Sequence, residues 1–118
     1  MYGLPANMDW NFLVGRELIQ VCVGIHQVLL RFDGDVSVSI ECVFEHSFPG
    51  ANTHSCTNLA HRAKSLVTLL GTRVERVDGK SHEALELSFS NHETLLIHDS
   101  NEMHESFLVH APGIEIVV

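Results

Sequence analysis

Positive charge is scarce in this chain. Of its 118 residues, 7 are Lys or Arg against 15 Asp or Glu, a formal net charge of −8. Arg16, Arg31, Arg62, Lys64, Arg73, Arg76 and Lys80 are scattered along the chain. They form no basic stripe able to neutralise phosphates, so nucleic acid is excluded as a partner and an anionic membrane surface is disfavoured. The acidic balance implies solubility or a basic partner. Long apolar runs are missing too, and nothing approaches the roughly 20 residues that span a bilayer as a helix. The segment Met1 to Trp10 has neither the basic region nor the apolar stretch of a secretory signal. The expectation is a cytoplasmic protein.

Cysteine is sparse. Cys22, Cys42 and Cys56 are odd in number and match no zinc spacing. Cys22 and Cys42 lie inside apolar strand patterns, where reduced buried thiols are expected. Cys56 lies in a polar stretch, and no His–Cys motif marks it as a nucleophile. Glycine-rich phosphate loops are absent, because Gly24 and Gly79 belong to turns. No glycine-flanked elbow surrounds Ser47, Ser55, Ser65 or Ser81, so no nucleophilic serine signature stands out.

What the chain does contain is a repetition. Residues 13–41 run LVGRELIQVCVGIHQVLLRFDGDVSVSIE, and residues 69–98 run LLGTRVERVDGKSHEALELSFSNHETLLIH. Gly15 matches Gly71, Val21 matches Val77, Leu30 matches Leu87, Phe32 matches Phe89 and Ile40 matches Ile97, at a nearly constant separation. A duplicated unit of this size folds into two similar halves over a shared core. With 45% hydrophobic residues, the chain suits one domain with one core. Repeat 1 covers about 10–44, a linker and helix 45–70, repeat 2 about 71–98, and two C-terminal strands 105–118.

Within repeat 1 three strands are expected. Glu17–Val23 would set Leu18, Gln20 and Cys22 on one face and Ile19, Val21 and Val23 on the other. Gln27–Phe32 follows, then the hairpin signal Asp33-Gly34. Val36–Phe44 alternates Val36, Val38, Ile40 and Cys42 with Ser37, Ser39 and Glu41, the pattern of a strand buried on one face. Before them, Asp9 caps a short turn that Gly15 ends. Residues 45–56 look like a connector. An α-helix is expected over about 58–70, because Leu59, Ala63, Leu66, Val67 and Leu70 recur at helical spacing. Repeat 2 supplies Arg73–Val77, Ala84–Phe89 and Thr94–His98, joined through Asp78-Gly79 and Ser90-Asn91. The tail strands are Glu105–Val109 and Ile114–Val118. The fold class is mainly β: a small barrel or two packed antiparallel sheets made from two pseudo-symmetric three-stranded meanders. Exposed strand edges favour a homo-oligomer.

The pattern Trp10, Leu13-Val14-Gly15, Val21, Leu30-Arg31-Phe32-Asp33 and Ile40-Glu41, then Leu69-Leu70-Gly71, Leu87-Ser88-Phe89 and Leu95, resembles a group of small two-repeat bacterial proteins without assigned chemistry. That group closes with an acidic-aromatic segment, matched here by Met103-His104-Glu105-Ser106-Phe107, with His104 and Phe107 where tyrosine and tryptophan are usual. The resemblance covers most of residues 10–110. It implies a two-repeat β-domain and, by analogy with some members, an immunity or accessory role.

Two constellations bear on chemistry. The chain holds 9 histidines. His46, His54 and Cys56 share one loop, and His98, Asp99, His104 and Glu105 another. His46, His54, His98 and His104 are thus the candidate metal ligands, although no recognised spacing unites them and no metal or other cofactor is expected. Phe32-Asp33-Gly34 distantly resembles the turn that carries the catalytic aspartate of aspartic peptidases. Two such carboxylates about a two-fold axis share a proton and divide the acid and base roles. Repeat 2 has Ser90 in the matching place, so a dyad would draw on Asp33 of a second subunit or on Asp35, Asp78 or Asp99. The leading expectation is a binding module acting as a homo-oligomer, with another protein or a peptide as a further partner. The alternative is an oligomeric aspartic-type peptidase, favoured over a metal-dependent hydrolase. Trp10 and Phe12 are expected to anchor the core or an interface.

Overall fold

Alternation of apolar and polar residues builds ten strands among the residues that the computed structural model describes: 9–41, 44–49, 54–55, 63–80, 84–98 and 107–118. They are β1 (Leu18–Val23), β2 (Val28–Phe32), β3 (Val36–Ile40), β4 (Phe44–Ser47), β5 (His54–Ser55), β6 (Val74–Lys80), β7 (Ala84–Phe89), β8 (Thr94–His98), β9 (Phe107–Ala111) and β10 (Ile114–Val117). All pairings are antiparallel. One sheet has the order β1-β2-β3-β9-β10 and the other β5-β4-β8-β7-β6. The two meanders, β1-β2-β3 and β6-β7-β8, are as expected. The sheets pack face to face and do not close into a barrel. Their inner faces meet in one core that includes Leu30, Phe32, Val38, Ile40, Phe44, Leu85, Leu87, Phe89, Leu95, Ile97, Phe107 and Val109.

The strand after each meander changes sheets. β4 follows β3 in sequence but pairs with β8, and β9 follows β8 but pairs with β3. Ile40 pairs with Phe107 while Ile97 pairs with Phe44, so the exchange is reciprocal. Each half therefore comprises five strands, and the C-terminal pair β9–β10 is the counterpart of β4–β5. This corrects the reading of 45–56 as a connector and of the third strand as running on to Phe44. Phe44 and His46 alternate inward with Glu45 and Ser47 outward, a strand pattern of period two.

The halves meet at a shared corner. Gly15 N–H donates to the Val74 carbonyl at 2.7 Å, and Gly71 N–H donates to Leu18 at 2.9 Å. Leu18 N–H donates to Thr72 at 2.9 Å, and Val74 N–H to Arg16 at 3.0 Å. Each bond has its twin in the other half, and the Glu17–Arg73 bridge lies between them. Gly15 has φ +86° and Gly71 has φ +82°. Glycine enters this left-handed region without steric cost.

Beside this corner β1 and β6 carry equivalent bulges, at Ile19 and at Glu75. The bulge corrects the expected faces of β1. Leu18 and Val21 both point inward, opposite Phe32 and Leu30, while Cys22 pairs with Leu29 on the outer side. Cys22 is thus a half-buried free thiol, not a core residue; Cys42 and Cys56 lie outside the described residues. Asp78-Gly79, expected as a turn, continues β6.

A second correction concerns the helix. Ala63–Leu69 forms a 3₁₀ helix, and 58–62 lie outside the described residues. In a 3₁₀ helix residues three apart align. Leu66 and Leu69 are accordingly buried, whereas Val67 and Leu70, which α-helical spacing would place on the inner stripe, are 54% and 43% exposed. The Thr72 hydroxyl bonds back to the carbonyl of Leu69, three residues before it. The shorter 3₁₀ turn Asn11–Leu13 is its counterpart: Trp10 and Leu13 are buried like Leu66 and Leu69. The N-cap is Trp10 and not Asp9, whose carboxylate accepts the Asn11 N–H at 2.9 Å from one residue further back.

Candidate functional site

Asp33 and Asp35 share the β2–β3 turn. The Asp33 side chain accepts the Glu17 N–H at 3.1 Å, and the Asp33 N–H returns a bond to the Glu17 carbonyl at 3.0 Å. In the other half Ser90 does the same for Arg73, at 3.0 Å from its hydroxyl and 2.8 Å from its N–H. Asp33 therefore tethers the turn to the bulged strand, a task that serine performs in its twin. Asp35 is exposed and lies 4.0 Å from His110. Among the described residues no second carboxylate bonds to Asp33. Asp99 lies outside them. Arg16 fills the space beside Gly34, whose φ is +72°.

The histidines are separated in the same way. His46 faces the core from β4, and His98 stands on the outer face of the same sheet, where its Nε2 is 2.6 Å from Glu45 Oε2. The two cannot share one ion. His54 pairs with His46 along the backbone of β5, and His104 lies outside the described residues. Among the described residues no three His, Cys, Asp or Glu side chains converge to hold a metal.

Sequence reasoning missed the main polar cluster. His46 is 1% exposed, and its Nε2 lies 2.6 Å from Glu93 Oε1. Its Nδ1 lies 3.0 Å from Ser65 Oγ. Glu93 also accepts the Thr68 hydroxyl and the Asn91 amide, each at 2.7 Å, while its own N–H donates to Asn91 Oδ1. A carboxylate only accepts, so Nε2 donates to Glu93, and Nδ1 shares a hydrogen bond with the Ser65 hydroxyl. Phe48 packs its ring 4.2 Å from the imidazole. The cluster fastens the second 3₁₀ helix to β4 and to the β7–β8 turn. At the places of His46, Glu93 and Thr68 the other half has Val109, Val36 and Phe12, all apolar. The one signal in the sequence was that contrast, a histidine and a glutamate where the repeat has valines.

A second contrast lies outside. The middle outward row of the first sheet runs Cys22–Leu29–Ser39–Leu108 across β1, β2, β3 and β9. The twin row of the second sheet runs Asp78–Glu86–Leu96–Glu45 across β6, β7, β8 and β4. One row carries no charge and the other three carboxylates. Gln27 lies over the uncharged row, donating to Ser39 Oγ at 2.5 Å. An open hollow of about 300 Å³ adjoins it, lined by Cys22, Val23, Gly24, Gln27 and Leu29. Val23 and Ile25, at the tip of the β1–β2 hairpin, are 49% and 81% exposed.

No known family model, curated protein or solved structure matches this chain. Among the described residues no helix is long and apolar enough to cross a membrane.

Proposed function

We propose that the chain is a small interaction module that works as a homo-oligomer through the outer face of the first sheet. The observation that carries this reading is the uncharged row Cys22–Leu29–Ser39–Leu108 set against its carboxylate-rich twin. Both rows occupy the same positions of the same architecture, so packing of the fold does not require leucine at 29 and 108. The half-buried Leu29 and Leu108, with a hollow at the end of their row, gain free energy when another surface removes what they still expose from water. Concentration-dependent amide shifts in a two-dimensional NMR spectrum test the reading. Shifts at Leu29, Ser39 and Leu108 support it. Shifts confined to Glu86, Leu96 and Glu45, or none at all, rule it out.

A second reading, acyl transfer, rests on the hydrogen-bonded line Ser65–His46–Glu93. Its order is that of a nucleophile, a base and an orienting carboxylate. Ser65 Oγ would attack an ester carbonyl and give its proton to Nδ1, which would pass it to the leaving alcohol; water would then release the acid. Incubation with a fluorophosphonate and intact-mass measurement tests it. An adduct on Ser65, absent in Ser65→Ala, supports this reading, and an unmodified chain removes it.

A further inference from the structure

The outward row next to the uncharged row runs Gln20–Arg31–Ser37–His110–Glu115 across β1, β2, β3, β9 and β10. Arg31 and Glu115 are both exposed and neither forms an ion pair among the described residues. Three strand spacings separate them, roughly 14 Å, too far for a bridge within one chain. We infer that the surface on this face is a second copy of the chain, docked face to face about a two-fold axis that runs parallel to the strands between β3 and β9. The inference rests on the interaction-module reading and specifies its partner and register.

The argument is one of self-complementarity. A two-fold contact presents the same patch from both sides, so a residue meets its mate twice. An axis parallel to the strands keeps each row facing its own copy and reverses the strand order. β2 then lies over β10 of the second copy, which sets Arg31 on Glu115 of that copy and Glu115 on its Arg31. The same operation lays Ser37 over His110, and in the uncharged row it lays Ser39 over Leu108. The two unpaired opposite charges meet at both ends, while β1, which has no mate about this axis, stays outside the overlap.

The four overlapping strands β2, β3, β9 and β10 at about 4.8 Å and five residues at about 3.3 Å give a face of roughly 19 by 17 Å. That is below the area of a stable specific interface, so the dimer is weak, reversible and dependent on concentration.

Sedimentation equilibrium of the full chain decides the matter, comparing wild type with Arg31→Glu, Glu115→Arg and the double charge reversal. Both positions are exposed, and thermal melts verify that each variant stays folded. Each single variant is expected to raise the dimer dissociation constant roughly tenfold or more, and the double reversal to restore it to within about threefold. If the single variants dimerise as wild type while Leu29→Glu abolishes dimers, the register is overturned and the interaction face stands. If wild type stays monomeric at every concentration, or Leu29→Glu changes nothing, the reading beneath it fails as well.

Discussion

His46 and Glu93 stand 2.6 Å apart inside a fold whose other half places Val109 and Val36 at the same two positions. The architecture therefore tolerates either a polar pair or two valines there. Losing one member is another matter. His46→Val leaves the Glu93 carboxylate, 11% exposed, without its nearest donor. Unfolding by denaturant should show a loss of about 3 kcal/mol. The double variant His46→Val with Glu93→Val copies the twin and should return to within about 1 kcal/mol of wild type. Additive losses would mean that the rest of the cluster, Ser65, Thr68 and Asn91, does not accept an apolar centre.

Asp33 offers a test between a structural and a chemical role. Its twin is Ser90, and both oxygens receive a main-chain N–H from the bulged strand. Asp33→Ser should melt within about 0.5 kcal/mol of wild type, and Asp33→Ala should lose about 1 kcal/mol from the unpaired Glu17 N–H. Retained peptide-bond cleavage in wild type that vanishes in a folded Asp33→Ser would reverse the assignment.

Gly34 faces two constraints of unequal weight. Its φ of +72° disfavours any side chain, and Arg16 occupies the space that a methyl group would take. Gly34→Ala should lose about 1 kcal/mol, nearly all from the backbone, because the Arg16 guanidinium is the free end of a flexible side chain and can move aside. In an Arg16→Ala background the loss from the same substitution should be equal. A smaller loss in that background would assign part of the effect to Arg16.

Local patterns carried most of the fold. The alternation of Val36, Val38 and Ile40, the Asp33-Gly34 turn and the match of Gly15 to Gly71 were all legible. The exchange of β4 and β9 between sheets was not, because it breaks the regular separation of the repeats. Ile40 and Ile97 keep that separation, whereas Phe44 and Phe107 stand further apart in the sequence. β4 also hid behind its composition, since Phe44-Glu45-His46-Ser47 contains one hydrocarbon side chain and puts a histidine in the core position. The partners of that histidine lie 19 and 47 residues away, at Ser65 and Glu93, so no spacing rule could join them. The 3₁₀ helix was misread because Leu66-Val67 and Leu69-Leu70 satisfy both periods, and only burial selects between them.

The outer rows give the most direct measurement. Leu29→Glu and Leu108→Glu each introduce the residue that the second sheet carries at Glu86 and Glu45, and thermal melts verify that the variants stay folded. Sedimentation velocity of wild type and of the double variant, over a hundredfold range of concentration, should show a reversible dimer in the first and a folded monomer in the second. A wild-type chain that sediments as a monomer throughout, or a double variant that associates equally well, would contradict the assignment of this face.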